Sequence, residues 1–288
     1  MRYTIKNEVL TVGIDSMGAE VKSVIKDGRE YMWCGDAKYW GRTSPVLFPF
    51  VGSVKDGVYR TNGREYPMGQ HGFARDMEFE LADRSEDMIS FTLASNDETL
   101  ARYPYEFRLT ITYRLNGNAL SVEWKVENPS DKEMYFSIGA HPAFVCPLEG
   151  ESKNGYKFKF DTDGDKEYFL LDGGTLDKTK SYTLPVKDGY AVITDDMFDR
   201  DALIAEGAQA REISLCDPDG RAYVTVRTDA PLFGLWSPAG KNAPFVCIEP
   251  WYGRCDASDF DGELKDREYS NTLEAGESFC AAYTGEFV

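Results

Sequence analysis

A chain of 288 residues with 49 acidic and 32 basic side chains carries a formal net charge of −17, a field that repels phosphate backbones and anionic headgroups and argues against nucleic acid or membrane partners. Its 42% hydrophobic and 14% aromatic content is that of an ordinary globular protein, and a chain of this length buries enough surface to fold without staples. There is no run of about 18 apolar residues and no apolar stretch within Met1–Asp15, which argues against a transmembrane span and a signal peptide; the six cysteines (34, 146, 216, 247, 255 and 280) form no C-x-x-C pair and are expected to be reduced, mostly buried, and cytoplasmic.

Along the chain the dominant period is two. Glu8–Asp15 and Glu20–Ile25 read as strands, the second ending at the turn Asp27-Gly28. Met88–Ala94 reads as another, followed by a short helical turn near Asp97–Arg102. Phe107, Leu109, Ile111, Tyr113 and Leu115 then alternate with polar residues up to Asn116-Gly117, and Leu120, Val122, Trp124 and Val126 alternate after it, which predicts a hairpin with one dry and one wet face. Met134–Ile138 and Ala222–Thr228 are further strands, with turn signals at Asp172-Gly173-Gly174 and Asp217-Pro218-Asp219-Gly220. Long 3.6-residue periodicities are scarce, and there is no repeat, low-complexity stretch or linker. The expectation is an all-β fold of packed antiparallel sheets, a sandwich or barrel, in one domain over 1–288.

Chemistry-bearing residues are few. The two histidines are His71, in Gln70-His71-Gly72-Phe73-Ala74-Arg75, and His141, in Gly139-Ala140-His141-Pro142. A lone histidine is more often structural than functional, but His141 ends a strand pattern just before a proline that breaks the ladder, where sites are commonly built. Two histidines 70 positions apart, with no cysteine or second histidine at ligand spacing, make a weak case for a metal. In Phe245-Val246-Cys247-Ile248-Glu249-Pro250-Trp251-Tyr252 a carboxylate ends an apolar run. Such a group is either hydrogen-bonded as a cap or partly desolvated, with its pKa raised toward the range of a useful base. Trp251, Trp236, Tyr252 and Phe73 offer flat apolar faces for a sugar ring, against the commoner fate of aromatics as core. Nucleophile-elbow, zincin, Walker A and dinucleotide motifs are absent.

Four segments, spread over most of the chain, together resemble the aldose 1-epimerase (galactose mutarotase-like) superfamily and its LacX-like branch: Ser44–Gly52, Gln70–Arg75, Gly139–Pro142 and Cys247–Trp251. The resemblance implies a β-supersandwich of large antiparallel sheets with a sugar cleft across one of them. It implies His141 as catalytic acid, Glu249 as catalytic base, His71 as a substrate-orienting histidine and Asp201 as a substrate-binding aspartate. Arg75 matches a segment shared with relatives acting on hexose 6-phosphates. Relatives often place an arginine after the Phe-Pro segment, where this chain has Ser53, with Lys55 two residues on and Arg42 upstream.

The implied reaction interconverts the α and β anomers of a hexose. A base takes the C1 hydroxyl proton, an acid protonates the ring oxygen as C1–O5 opens, the aldehyde rotates about C1–C2, and the ring recloses on the other face with the roles exchanged. A carboxylate and an imidazole suit this, one on each side of a ring-sized space, and no metal, nucleotide or redox cofactor is needed. The expected partner is a small-molecule sugar; the sequence leaves the oligomeric state open. Rival readings are a non-catalytic sugar-binding protein on the same fold, a hexose-6-phosphate 1-epimerase, and a glycosidase or lyase with paired carboxylates. The high acidity of the whole chain favours an unphosphorylated hexose, and Arg75 is as readily read as a partner of Asp76 or Glu78.

Overall fold

The computed structural model describes residues 1–150 and 152–288. Alternation of apolar and polar side chains builds two large sheets in which every pairing of named strands is antiparallel. The first has nine strands, running in space from Tyr190–Val192 through Lys157–Phe160, Glu212–Cys216, Ala222–Thr228, Ser278–Phe287, Ala119–Glu127, Arg108–Asn116 and Met88–Ala94 to Glu80–Arg84. At its heart the hairpin pairs Arg108 with Glu127 and closes at Asn116 with Ala119. The two-residue loop begins with Gly117 at φ +57°, which the absence of a Cβ makes easy.

The second sheet has eight strands. It runs from Thr175–Leu184 through Lys166–Asp172, Leu203–Glu206, Leu232–Trp236, Phe245–Tyr252 and Ile138–Ala140 to Val46–Leu47, with Ala143–Val145 also paired to Phe245–Tyr252. A four-stranded N-terminal sheet (Arg2–Lys6, Leu10–Asp15, Glu20–Lys26, Arg29–Glu30) adds a further layer. One buried cluster joins all three, with Ile5, Val12 and Val24 from the N-terminal sheet, Leu109, Ile111 and Trp124 from the nine-stranded sheet, and Leu235, Val246 and Ile248 from the eight-stranded one. The helical content is slight. The turn Asp97–Arg102 is a six-residue helix whose Asn96 and Thr99 cap each other's backbone N–H. Among the described residues no helix is long and apolar enough to cross a membrane.

The strand Phe245–Tyr252 shows how two-residue periodicity sets the site. Val246, Ile248 and Tyr252 join the principal core, whereas Phe245, Cys247 and Trp251 belong to two smaller clusters on the opposite face. Glu249 shares that second face by the same alternation. Tyr252 and Phe73 are therefore not sugar platforms: Tyr252 meets Trp124 and Phe279 edge-on, and Phe73 packs with Tyr103 and Phe107.

Two other expectations are adjusted. The segment Met134–Ile138 is two strands, because Ser137 leaves the ladder to donate its N–H to Pro49 O. Met134–Phe136 then pairs with Asn271–Leu273, and Ile138–Ala140 with Phe245–Tyr252 and Val46–Leu47. The second strand starts at Leu10 rather than Glu8, because Asn7 Oδ1 accepts from the N–H groups of Val9 and Leu10 and forms a turn. All six cysteines are free, with Cys34 and Cys280 exposed and the other four buried.

Candidate active site

The outer face of the eight-stranded sheet carries a cleft of about 290 Å³, lined among others by Trp40, His71, Arg75, His141, Asp201, Trp236, Glu249 and Trp251. His141, Glu249, His71, Arg75, Asp201, Trp236 and Trp251 of the sequence reading therefore converge on one cavity, whereas Tyr252 and Phe73 do not line it. A larger recess of about 530 Å³ lies beyond Cys255, which lines both. Its buried cations are already paired, Arg254 with Glu206 and Glu268 and Arg267 with Asp256, so the smaller cleft is the better candidate.

Strand register brings the two titratable groups together. Gly139 stands opposite Trp251 and Ala143 opposite Cys247, and the same register carried across the interruption at His141-Pro142 puts His141 opposite Glu249. Pro142 has no N–H to give to the ladder, so the pairing with Phe245–Tyr252 is interrupted there; the His141 N–H donates to Pro45 O at 3.2 Å, on the side of the neighbouring strand Val46–Leu47. His141 Nδ1 and Glu249 Oε2 lie 3.4 Å apart, both buried, and neither atom has a hydrogen-bond partner. They stand side by side and not across a ring-sized space.

Electrostatics push the pair in opposite directions. Burial first, and then the charge of Asp201, hold the Glu249 carboxyl well above its usual range, with Trp251 working the other way. Burial and the Arg75 guanidinium, with Arg42 behind it, bring His141 down to about 3. The dry surroundings thus favour the uncharged form of each group, and the pair holds one proton between them.

The remaining walls are fixed by packing. The His141 ring stacks on Trp40 at 4.6 Å between centroids and meets Trp236 edge-on at 5.1 Å and His71 at 5.7 Å. His71 sits at φ +67°, held by two hydrogen bonds to Gly52: its N–H donates to Gly52 O at 2.8 Å, and its Nδ1 accepts from Gly52 N–H at 3.0 Å. The ring proton is therefore on Nε2. Burial foremost, then His141, Arg75 and Arg42, keep this histidine neutral, well below its ordinary pKa.

Asp201, at φ +74°, accepts from Trp236 Nε1 at 2.7 Å and from Ala202 N–H at 2.9 Å. The Trp251 indole lies flat on the sheet because the strands on either side carry glycine beneath it. A Cβ at Gly139 or Gly234 would stand 2.7 Å from its ring atoms.

Arg75 is the one basic residue lining the cleft among the described residues. Its Nη2 donates to Gln70 O at 2.7 Å, and its Nε lies 3.8 Å from Asp76 Oδ2, too far for a hydrogen bond. Asp76 is held at 2.8 Å by Arg42 instead. The positions weighed as replacements for the family's arginine, Ser53, Lys55 and Arg42, do not line the cleft. Sequence reasoning missed Trp40: it lies in the irregular stretch before Arg42, with no periodicity to mark it. Its backbone carbonyl is anchored by Trp33 Nε1 at 2.9 Å.

Comparison with known proteins agrees with this architecture. The chain is 33% identical over 281 residues, 93% of its own length and of the relative's, to the chromosomal LacX protein of Lactococcus lactis subsp. lactis, and equally to the plasmid-encoded LacX. It superposes on a galactose mutarotase related enzyme from Lactobacillus acidophilus with a TM-score of 0.95 at 37% identity, covering 100% of this chain and 97% of that one. A galactose mutarotase-like protein from Lactobacillus casei gives a TM-score of 0.92 at 31% identity, covering 100% of both chains. Since the sequence profile described as aldose 1-epimerase also matches residues 1–281, the chain belongs to the aldose 1-epimerase family, in the branch that includes the LacX proteins.

Proposed function

We propose that this protein is a cofactor-independent aldose 1-epimerase that interconverts the α and β anomers of an unphosphorylated hexose, with Glu249 and His141 as its acid–base pair. The observation that carries the reading is the pair itself: two buried, otherwise unpartnered titratable atoms 3.4 Å apart on the floor of a sugar-sized cleft. Ring opening starts from the tautomer of the one-proton pair in which the proton sits on His141, an ion pair: the C1 hydroxyl proton moves to the Glu249 carboxylate, while the C1–O5 electrons go to the ring oxygen and O5 takes the proton of the His141 imidazolium. The products are the open-chain aldehyde, a protonated Glu249 and a neutral His141, which is the form the dry cleft favours. After rotation about C1–C2, closure reverses both transfers on the other face and restores the ion pair.

The other residues receive the sugar. His71 offers a fixed Nε2–H donor and Asp201 an acceptor. Trp236 and Trp251 present apolar ring faces, and Trp40 holds the His141 ring flat.

The test is the rate at which freshly dissolved α-glucose and α-galactose reach their anomeric equilibrium, followed by polarimetry or NMR with and without the protein. No acceleration for any free aldose would leave a sugar-binding role on the same fold. Arg75 favours a second reading, because it lines the cleft with an unpartnered Nε and shares Asp76 with Arg42. On the neutral-hexose reading kcat/KM is higher for glucose or galactose than for their 6-phosphates, and Arg75→Ala affects both classes alike. A preference for hexose 6-phosphate that Arg75→Ala abolishes would make Arg75 a phosphate clamp.

A further inference from the structure

The strand that carries Glu249 also carries a thiol that the acid–base chemistry does not use. Cys247 lies two residues before Glu249 on the same face, fully buried beneath Trp236 and Trp40 beside Phe245 and Trp33. One ligand-capable atom each from His141, Cys247 and Glu249 falls within 4.8 Å of the others. Spacing along the sequence hides this cluster, since His141 reaches it only through strand pairing. We infer that His141, Cys247 and Glu249 form a binding site for a soft divalent cation such as Zn²⁺, which when filled shuts off the acid–base pair.

Three features support the site. Tetrahedral Zn²⁺ with nitrogen and oxygen ligands at about 2.0–2.1 Å sets those atoms about 3.3 Å apart, and His141 Nδ1 and Glu249 Oε2 are at 3.4 Å already. With a sulfur ligand at about 2.3 Å the matching separation is about 3.6 Å, and since the three ligand-capable atoms fall within 4.8 Å of one another, movements on the order of 1 Å close the set. Second, Nδ1 and Oε2 are buried without hydrogen-bond partners, so an ion bound there displaces no existing bond. Third, a carboxylate, a thiolate and a neutral imidazole around a divalent ion sum to zero, which is how a dry site holds such a charge. His141 and Glu249 face the cleft, leaving a fourth position open to water. An imidazole and carboxylate engaged in this way exchange no proton with a sugar. The inhibitory consequence rests on the proposed function; the binding does not.

The experiment uses the full chain and Zn²⁺ or Co²⁺ alone as probe. Competition with a chromophoric chelator should show one Zn²⁺ per chain, and Co²⁺ should give a thiolate-to-metal charge-transfer band. Cys247→Ser and Cys247→Ala, checked for folding by circular dichroism and Tm, should lose the band and weaken Zn²⁺ binding by about 100-fold or more, beyond the loss typical of an outer-shell partner. Removing the exposed thiols, by Cys34→Ser and Cys280→Ser, should change neither. Stoichiometric Zn²⁺ should slow mutarotation at least tenfold, reversibly with chelator, and Cys247→Ser should resist it. Absence of stoichiometric binding, or a charge-transfer band that survives in folded Cys247→Ala, overturns the site. A Cys247-dependent band in a protein without mutarotase activity upholds the site and overturns the proposed function instead.

Discussion

Replacing Gly234 by alanine tests whether the floor of the cleft works as described. Gly234 faces Glu249 across the strand pair, and the Trp251 indole lies over it. A Cβ at this position would stand 2.7 Å from both Cη2 and Cζ2 of that indole, where carbon atoms prefer about 3.5–4.0 Å. The ring or the strand must therefore shift by about 1 Å. Overpacking of this kind costs roughly 1–3 kcal/mol of stability, a loss of a few degrees in Tm. Displacing a group beside the reacting atoms by about 1 Å costs on the order of 100-fold in rate. Gly234→Ala should thus lower kcat/KM far more than it lowers Tm. The double variant Gly234→Ala/Trp251→Phe, whose smaller ring leaves room for the methyl, should recover part of the loss relative to the sum of the two single changes. Mutarotation rate and thermal unfolding, measured on all three variants, check this. A Gly234→Ala protein with full activity and unchanged Tm would refute the account of the floor.

Glu249→Gln keeps the shape of the side chain and removes its proton transfer; mutarotation should fall about 100- to 10,000-fold with Tm nearly unchanged, and an unchanged rate would mean another base. Because His141 is held at about 3 by burial and Arg75, the pair gains its second proton only near that pH, and the acid limb of kcat/KM should lie there and not near 6.5. Arg75→Gln removes a cation that disfavours the imidazolium, so the pKa of His141 should rise and the limb should move to higher pH; a pH–rate profile that stays put contradicts this. Beside the neighbouring recess, Asp256 accepts from Arg267 Nε at 2.5 Å and from Lys55 N–H at 2.8 Å. Asp256→Ala strands a buried guanidinium and should cost about 3–5 kcal/mol of stability, measured by denaturant unfolding.

Much of this was legible in the sequence where local pattern and tertiary demand agree. Met88–Ala94 and Ala222–Thr228 are strands over the expected residues, because β-branched and aromatic side chains there favour the extended backbone that the sheet also demands. Met134–Ile138 was not legible as two strands, since the break at Ser137 answers to Pro49, which is distant in sequence. The site residues were legible because His71, Arg75, His141, Glu249 and Trp251 lie in the segments that resemble the family, and tertiary pairing brings those segments to one cleft. The expected placing of acid and base across a ring failed for want of the register between Ile138–Ala140 and Phe245–Tyr252. The grouping of Tyr252 with Trp251 as sugar platforms overlooked that neighbours on a strand face opposite ways. Trp40 and Cys247 become functional candidates only through three-dimensional proximity.

The strand Phe245–Tyr252 separates two kinds of constraint by the parity of its residue numbers. At even positions, Val246, Ile248 and Tyr252 answer to the principal core; at odd positions, Glu249 and Trp251 line the cleft and Cys247 packs on that same face behind it. Substitutions at the first set should be tolerated according to volume and apolarity, and those at the second according to what they do to a bound sugar. A lineage of such proteins can then revise its ligand by changing every second residue of this strand, and the interior that keeps the sheets together need not register the change.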